Sequence, residues 1–452
     1  MSPPISKKLF GTDGIRGKAG EFPITEDMAY KIGCACVHVL KDHSPVHIVI
    51  GQDTRESGTN LSQALARGAQ EAGASVTLLG IIPTPGVCVH VRSQHVQAGI
   101  MVSASHNPYY DNGIKIFASD SFKLSDAQEL EIERLIENPP KTKKTCHKEN
   151  IETLEESGGA YQNFLTSTVS GLNLKGVKIV LDCAHGATFK IAPTIFKSLG
   201  AHVTPLGVTP NGRNINDCCG ALHVGTLQKK VVEEKAHIGI AFDGDGDRVI
   251  CIDEQGKIID GADILAVSSL YLKKKNLLNK NTFVSTTMCN QGLIKSLQPL
   301  GINIVQTQVG DRYVLEKMRT AQYNLGGEPS GHIIFLDYLP TGDGILASLQ
   351  LLKIMQEENK SLSKLTYFIE KFPQILKNIP VREKKDFSQI PHWEKAYEEC
   401  KKNLGSWGRL IVRYSGTENL ARVMAEGEDL KQVQDVVESL GSIIEKDIGR
   451  GS

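Results

Sequence analysis

Short apolar runs alternate with longer amphipathic stretches through most of the chain. Three apolar runs of strand type each precede a stretch with helical periodicity: VHIVIG (46–51), VKIVLD (177–182) and NTFVST (281–286). Three further segments pair a helix-ending glycine with a second short strand: EAGASVTLLG (71–80), SLGAHVTPLG (198–207) and PLGINIVQTQ (299–308). Glycine suits the left-handed position just past a helix. The pattern therefore predicts three related strand–helix–strand units.

This alternation predicts an α/β protein with parallel sheets that are covered by helices on both faces. In such sheets ligands collect in the loops at the carboxyl ends of the strands. Candidate chemistry is therefore expected in the loops that follow predicted strands.

The last part of the chain has a different pattern. An amphipathic helix over 343–359 is followed by the polar, lysine-rich VREKKDF (381–387), the strand GRLIV and a closing helix. This order predicts a smaller α+β domain at the C-terminal end. Together the patterns predict four domains: 1–155, 156–255, 256–370 and 371–452.

Composition narrows the classes of partner. The 452 residues carry 51 Lys+Arg and 51 Asp+Glu, so no net charge favours nucleic acid or an anionic membrane as a partner. No apolar run approaches the roughly 18 residues that span a bilayer, and the start lacks the apolar core of a secretory signal. We expect a cytoplasmic protein whose ten cysteines are reduced thiols. Cys218 and Cys219 are the only pair for which we consider redox chemistry.

Three aspartates stand between two strand-like runs in HIGIAFDGDGDRVICID (237–253). Asp243, Asp245 and Asp247 alternate with glycines that allow a tight fold, so their carboxylates can converge on a hard cation such as Mg²⁺. A hairpin turn with solvated charges is the simpler alternative, but three like charges so close together repel unless a cation compensates. A calcium EF-hand is disfavoured because Arg248 stands where that loop needs glycine.

A serine loop follows another predicted strand. AGIMV (98–102) precedes Ser103, Ser105, His106 and Asn107, and Pro108 stops the segment. The serine is either a nucleophile or part of an ordinary turn. No G-x-S-x-G elbow is present, which makes acyl-transfer chemistry a less favoured interpretation. A phosphoserine would supply charge and oxygens for a Mg²⁺ held by three aspartates.

Three other segments contain polar residues suited to binding. RYSGTENLARVM (413–424) offers the donors that a phosphate dianion needs, from Arg413, Ser415, Gly416, Thr417 and Arg422. GGEPSGH (326–332) places Glu328, Ser330 and His332 where they can bind sugar hydroxyls, and FGTDGIRG (10–17) places Arg16 in a glycine-rich loop. Each segment taken singly also fits an ordinary surface turn. No Walker A loop or dinucleotide-binding glycine motif occurs, so nucleotide binding has no support.

Taken together, five segments resemble the α-D-phosphohexomutase superfamily, and within it the branch that acts on glucosamine phosphates: FGTDGIRG, MVSASHNPYYDNGIKIF, DGDGDR, GGEPSGH and RYSGTENLARVM. The resemblance covers nearly the whole chain. It implies three similar mixed α/β domains plus a C-terminal α+β domain around a central cleft, and a possible homodimer.

The resemblance also implies roles for individual residues. Ser105 resembles the phosphoserine, and Asp243, Asp245 and Asp247 resemble the Mg²⁺ ligands. Arg248 would lie beside the phosphoryl group, and three residues match groups near the reacting oxygens: Arg16, Lys115 and His332. Glu328 and Ser330, with His332, resemble the residues that bind the sugar. The phosphate that is not transferred would be held by Arg413, Ser415, Gly416, Thr417 and Arg422.

The implied reaction interconverts glucosamine 6-phosphate and glucosamine 1-phosphate through a 1,6-bisphosphate, which also serves as activator. It would feed UDP-N-acetylglucosamine and peptidoglycan precursor synthesis. The chain departs from this branch at Pro329, where glutamine is common, and at Tyr414 and Asn419, where lysine and proline are common. Three alternatives stay open: a mutase for glucose or mannose phosphates, a hydrolase that releases the phosphoryl group to water, and a non-catalytic sugar-phosphate binding protein.

Overall fold

The predicted strand–helix–strand units each contribute neighbouring strands to a sheet. The computed structural model describes residues 8–40, 45–139, 151–154, 156–415 and 419–450. Four sheets follow one another along the chain, with six, five, four and three strands. They lie in two compact units, one formed by residues 1–287 and 305–366 and the other by 288–304 and 367–452. The exact domain limits given above stay a prediction.

The first sheet has the strand order β1-β5-β4-β2-β3-β6. Its strands are β1 (Ile15–Lys18), β2 (His47–Gln52), β3 (Ser75–Ile81), β4 (Ala98–Val102), β5 (Asp111–Ala118) and β6 (Ile151–Thr153). Its helices are α1 (Glu26–Val39), α2 (Gly58–Glu71), α3 (Thr84–Gln94) and α4 (Asp126–Glu137).

The second sheet has the order β11-β10-β9-β7-β8. Its strands are β7 (Lys178–Asp182), β8 (His202–Leu206), β9 (Ile238–Phe242), β10 (Val249–Asp253) and β11 (Ile258–Ile259). The accompanying helices are α5 (Gly158–Thr168), α6 (Ile191–Ser198) and α7 (Gly225–Glu233).

The third sheet has the order β13-β12-β14-β15. Its strands are β12 (Thr282–Thr286), β13 (Asn303–Thr307), β14 (Leu325–Gly327) and β15 (Ile333–Phe335). The helices in this part of the chain are α8 (Gly261–Lys274), α9 (Gln291–Leu297), α10 (Asp311–Ala321), α11 (Gly344–Glu358) and α12 (Leu362–Thr366).

The parallel pairing that the strand–helix alternation predicts is found in only part of each of the first three sheets. β2 is parallel to β3 and β4, but β5 runs antiparallel to β4, β10 to β9 and β15 to β14. The reason is the length of the connections. The loops over 103–110 and 243–248 are too short for the crossover that a parallel neighbour requires, so the chain returns antiparallel. Both loops carry predicted site residues, and a strand anchors each of them at both ends.

The second compact unit is built on an antiparallel sheet with the order β16-β18-β17. Its main elements are β16 (Gln374–Pro380), β17 (Arg409–Tyr414), β18 (Leu420–Glu426), α13 (Trp393–Asn403) and α14 (Leu430–Ile448). Alternate residues such as Ile379, Val423 and Ala425 pack with Val433 and Leu440 in one apolar core. Side chains alternate between the faces of a strand, so the other face carries a mixed set of polar and apolar residues that includes Arg413, Arg422 and Met424. Among the described residues, no helix combines the length and apolar character needed to cross a membrane.

Two glycines set the contact between α1 and α2. A Cβ atom on Gly68 would lie 2.0 Å from the carbonyl oxygen of Tyr30, and one on Gly33 would lie 2.2 Å from that of Leu65. Real side chains never approach backbone atoms this closely, so the two helix backbones pack directly against each other.

We predict that Gly68→Ala lowers the free energy of unfolding by roughly 2 kcal/mol, because the added methyl group forces the helices apart. The matched control is Gly159→Ala in α5, where an added Cβ meets nothing within 4 Å. Alanine favours helix there, so the control should be neutral or slightly stabilising. Thermal unfolding of the two variants beside the wild type tests this, and equal midpoints for both would contradict it.

A buried carboxylate caps the N-terminal end of α11. Asp343 is fully buried, and its Oδ1 accepts hydrogen bonds from the Leu346 amide and the Tyr161 hydroxyl, both at 2.9 Å. Burial raises the pKa of Asp343 to about 7. The folded protein therefore holds this proton more tightly than the unfolded chain does. The stabilisation that the neutral form provides is lost as the pH rises from the ordinary aspartate range through 7.

We predict that Asp343→Asn reduces this loss, because asparagine keeps the helix cap without ionising. The gain in thermal stability of the variant over the wild type should be larger at pH 8 than at pH 5.5. Thermal midpoints of both proteins at the two pH values provide the measurement. A difference between the proteins that does not change with pH would show that Asp343 does not titrate in this range.

Candidate active site

Ser105 lies in the tight loop between β4 and β5, where the sequence predicts chemistry. Its side chain is buried, and its Oγ donates to Oδ2 of Asp243 at 2.6 Å. The Nδ1 atom of His106 lies 3.2 Å from the same Oγ. The fold thus brings the serine loop against the aspartate loop, although the two residues are 138 positions apart.

The three aspartates occupy the turn of the β9–β10 hairpin. Asp243, Asp245 and Asp247 are all buried, and one oxygen from each lies within 4.8 Å of the others. The glycines between them allow this close approach. A Cβ atom on Gly244 would lie 2.5 Å from the Ser105 carbonyl oxygen, and Gly246 has a φ of 73°. Glycine is therefore needed both for the turn and for contact with the serine loop.

Lys115 of β5 reaches into the aspartate cluster. Its Nζ lies 2.9 Å from Asp245, 3.0 Å from Asp247 and 3.0 Å from Asp13. Burial would lower the pKa of Lys115, but these carboxylates outweigh burial and raise it well above its usual range. Burial and then the charges of Asp247 and Asp245 raise the pKa of Asp243. The cluster thus holds more negative charge than one lysine neutralises.

The cluster fits a divalent cation. Hard carboxylate oxygens are the ligands that Mg²⁺ prefers. The Oδ1 atom of Asp245 is buried and makes no hydrogen bond to any described residue. A buried acceptor in this state is costly unless a ligand satisfies it. Asp243, Asp245 and Asp247 are therefore the residues that could hold the metal.

Two guanidinium groups lie beside the serine loop. The Nε atoms of Arg16 and Arg248 are buried, and neither has a hydrogen-bond partner among the described residues. Burial first, and then the charges of Arg248 and Arg16, lower the pKa of His106 to about 4, so its ring is neutral near pH 7. Unsatisfied N–H donors at a buried cationic site suit an anionic ligand such as a phosphoryl group.

Acidic and basic side chains alternate around a closed ring in the first unit. This charge ring consists of Asp13, Lys115, Asp247, His332, Asp311 and Lys123. His332 lies 3.7 Å from Asp247 through Nδ1 and 3.8 Å from Asp311 through Nε2. Lys123 pairs with Asp311 and, at 2.6 Å, with Asp13. The ring joins segments that are far apart in the sequence to the aspartate loop.

His332 is subject to two opposing influences. Burial lowers its pKa, but the carboxylates of Asp247, Asp311 and Glu328 outweigh burial and raise it. The Gly342 amide donates to Nε2 at 3.1 Å, which favours the neutral ring with its proton on Nδ1. This amide contact is shorter than either carboxylate contact, so the geometry fixes the tautomer of the neutral ring.

The sugar segment forms a tight turn between β14 and β15. The Glu328 amide donates to the His332 carbonyl at 2.9 Å, and Glu328 Oε1 accepts from the Gly310 amide at 3.1 Å. Glu328 is buried near the catalytic candidates, whereas Ser330 is exposed on the same turn. The two predicted sugar-binding residues therefore differ in their environment.

The second unit places its arginines side by side. Arg413 of β17 and Arg422 of β18 are direct cross-strand partners. Arg422 donates to Ser415 Oγ at 3.4 Å, and Lys384 donates to the Ser415 carbonyl at 2.7 Å. Like charges opposite each other repel unless an anion lies between them. Gly416 and Thr417 lie outside the described residues.

Several residues at these sites were missed by the sequence reasoning. Asp13 lies in FGTDGIRG, but only Arg16 of that segment was selected. Asp53 and Arg55 follow β2, so the rule that chemistry follows strands could have found them. Lys123 and Asp311 carry no local motif, because their role depends on a contact between distant segments.

The chain resembles known proteins along almost its whole length. The chain matches four family profiles described as Phosphoglucomutase/phosphomannomutase: alpha/beta/alpha domain I over residues 7–143, domain II over 159–256, domain III over 260–372 and the C-terminal domain over 376–441.

Curated relatives match over almost their full length. Phosphoglucosamine mutase of Syntrophotalea carbinolica is 47% identical, covering 98% of this chain and 99% of the relative. The same enzyme of Chlamydia caviae is 46% identical, covering 98% of each.

Solved structures share the fold. A phosphoglucomutase/phosphomannomutase family protein from Burkholderia thailandensis aligns with a TM-score of 0.77 at 20% identity, covering 97% of this chain and 99% of its own. N-acetylphosphoglucosamine mutase of Aspergillus fumigatus, solved with GlcNAc-6P and magnesium, aligns with a TM-score of 0.61 at 15% identity, covering 98% and 96%. With four profiles matched in order and relatives at 46–47% identity, this chain belongs to the phosphoglucomutase/phosphomannomutase family.

Proposed function

We propose that this protein is a phosphoglucosamine mutase that interconverts glucosamine 6-phosphate and glucosamine 1-phosphate through a phosphoserine at Ser105. One observation carries the proposal: Ser105 Oγ lies 2.6 Å from an oxygen of the buried aspartate cluster. A binding protein has no need for a serine hydroxyl at a metal site. The relatives at 46–47% identity that bear this enzyme's name support glucosamine as the sugar.

In this proposal phosphorylated Ser105 gives its phosphoryl group to the free hydroxyl of a hexosamine monophosphate. The resulting 1,6-bisphosphate turns over and returns its other phosphate to the serine, and added 1,6-bisphosphate acts as activator. Asp243, Asp245 and Asp247 hold Mg²⁺. When bound, the cation neutralises charge on the transferring group, which is the main contribution in phosphoryl transfer.

The surrounding side chains bind the phosphoryl group and take part in proton transfer. Arg248 and Arg16 donate to the phosphoryl group through Nε–H groups that lack hydrogen-bond partners within the described structure. The carboxylates around its Nζ keep Lys115 protonated, so Lys115 serves as a buried cation and hydrogen-bond donor for the charge that develops on the reacting oxygens. His332, whose pKa is raised despite burial by the carboxylates of Asp247, Asp311 and Glu328, is the candidate for proton transfer to or from the reacting oxygens.

Substrate binding is assigned to two further groups of residues. Glu328 accepts hydrogen bonds from sugar hydroxyls, and Ser330 and His332 complete the sugar site. In the second unit a phosphate site is formed by Arg413, Ser415, Gly416, Thr417 and Arg422. Pro329 has no amide donor and leaves a mutase for glucose or mannose phosphates as the alternative. Supply of UDP-N-acetylglucosamine and peptidoglycan precursors, a cytoplasmic location and a homodimer belong to the same proposal.

Phosphorus NMR tests the proposed function. The purified protein is incubated with Mg²⁺, a trace of glucose 1,6-bisphosphate and, separately, the 6-phosphates of glucosamine, glucose and mannose. We expect glucosamine 1-phosphate to form fastest. A preference for glucose or mannose would identify the alternative mutase. Inorganic phosphate without isomer would indicate a hydrolase, and no turnover would indicate a binding protein.

We predict that Ser105→Ala lowers turnover by at least about a thousandfold, because the phosphoryl acceptor is removed. Binding of glucosamine 6-phosphate, measured by calorimetry, should persist because the sugar and phosphate sites keep their residues. Ser93→Ala, on the surface of the same domain, serves as the control. Turnover of Ser105→Ala at the wild-type rate would eliminate the nucleophile assignment.

We predict that Asp245→Asn raises the Mg²⁺ concentration needed for half-maximal activity by about 10- to 100-fold. The substitution keeps the shape of the side chain but removes one anionic ligand. Direct Mg²⁺ titration by calorimetry separates metal binding from activity. Asp435→Asn on the exposed side of α14 is the matched control. If both variants bind Mg²⁺ as the wild type does, the aspartate cluster is not the metal site.

A further inference from the structure

Ser105 has an unusual backbone conformation. Its φ is 53°, in the left-handed region that a residue other than glycine seldom adopts. Such a conformation is strained and persists only where the surroundings hold it in place. The hydrogen bonds of the peptide groups on either side of Ser105 therefore help to determine the direction in which its Oγ points.

The backbone amide of Ser105 is connected by hydrogen bonds to the segment that follows β2. The Ser105 amide donates to Ser103 Oγ at 2.9 Å, and Ser103 Oγ donates to Asp53 Oδ2 at 2.5 Å. Arg55 Nε donates to the same Asp53 oxygen at 2.9 Å. Ser103 thus uses its hydroxyl as acceptor and donor at once, and connects the serine loop to the segment that follows β2.

Arg55 holds the other side of the loop. Its side chain is completely buried, and its guanidinium is surrounded by backbone carbonyls. One terminal nitrogen donates to the Ser105 carbonyl at 3.0 Å and to the Asn107 carbonyl at 2.8 Å. The other donates to the carbonyls of Pro108 and Asp111. A single planar group therefore fixes four peptide units of the loop.

Asn216 approaches the same carbonyls from the second sheet's domain. Its Nδ2 donates to the Ser105 carbonyl at 2.9 Å and to the Asn107 carbonyl at 3.1 Å. Its own amide donates to the Ala184 carbonyl, and its φ is 59°. Two side chains from different segments thus converge on the carbonyls of residues 105 and 107.

We propose that Arg55 and Asn216 are positioning residues that hold Ser105 in its left-handed conformation, with Oγ directed at Asp243. They act through the carbonyls of residues 105 and 107. The inference rests on the proposed function, because it concerns the serine that carries the phosphoryl group. Loss of either side chain should slow phosphoryl transfer to and from Ser105, while the residues assigned to sugar and phosphate binding stay unchanged.

Asn216→Gly is the variant of choice. Glycine accepts a positive φ without strain, so the substitution removes the carboxamide and leaves the local backbone conformation accessible. Asn276→Gly is the matched control, because Asn276 is an exposed asparagine after α8 with a φ of 58°. Both changes remove an asparagine from the left-handed region, but only one removes hydrogen bonds to the serine loop.

Two measurements distinguish positioning from other roles. The first is kcat and KM for glucosamine 6-phosphate, and the second is the rate at which glucose 1,6-bisphosphate phosphorylates Ser105, followed by intact-protein mass. We expect Asn216→Gly to lower kcat and the phosphorylation rate by about 10- to 100-fold, because small misplacements of a reacting group have effects of this size. KM should stay within about twofold of the wild type, and Asn276→Gly should match the wild type in both measurements.

Arg55→Lys provides a second test. Lysine keeps a positive charge beside Asp53 but cannot reach four carbonyls with a planar fork. We expect a loss in phosphorylation rate at least as large as that of Asn216→Gly, in protein whose thermal unfolding shows that it is folded. Since a buried arginine is replaced, failure to fold would leave the decision to Asn216→Gly.

A wild-type rate of Ser105 phosphorylation in Asn216→Gly would overturn the proposal. So would a raised KM with unchanged kcat, because that pattern indicates contact with substrate. The proposed function fails in a different way. A wild-type protein that accepts the phosphoryl group but forms no glucosamine 1-phosphate is not the mutase, and the phosphorylation rates of the variants still decide the positioning roles.

Discussion

Burying three carboxylates within a few ångströms of one another is unfavourable unless positive charge compensates them. Much of the first unit can be understood from this constraint. Lys115 comes from the first sheet, Arg248 follows the aspartates directly, and His332 comes from the turn of the third sheet. A site that needs cations from three sheets also fixes how those sheets pack. The same surplus of negative charge that makes the cluster costly in isolation gives it affinity for a divalent cation.

The elements of the fold were largely predictable from the sequence, because each rests on a local signal. β4 and β9 are apolar runs that end at polar loops, and the glycines after α2 and α6 mark the helix ends. The direction of β5 and β10 was not predicted. Loop length contains that information, since eight or fewer residues cannot form a crossover, but the alternation of strands and helices indicated only parallel pairing.

The candidate site was predictable where chemistry and chain position coincide. Ser105 and the three aspartates stand in loops after strands, and their residue types indicate a metal and a phosphoryl group. The position of Arg55 after β2 could have singled it out, but neither its role nor that of Asn216 could be identified in this way. Both residues bind backbone carbonyls that lie 50 and 111 positions away, and carbonyls carry no sequence signature. The left-handed backbone at Ser105 is hidden for the same reason, because serine is not a residue that marks a positive φ.

The charge ring has a consequence for how this protein can diverge. Each member touches two members of the opposite character, so exchanging one residue for a neutral one leaves each of its two neighbours with a single partner in the ring. A second exchange at an adjacent member restores the balance, which makes paired replacements less harmful than single ones. Lys123 lies opposite Asp247 in the ring, and with its neighbour Asp311 it forms a pair open to such joint replacement. In evolution the six residues should therefore be inherited as one unit, although they are scattered over more than three hundred positions of the chain.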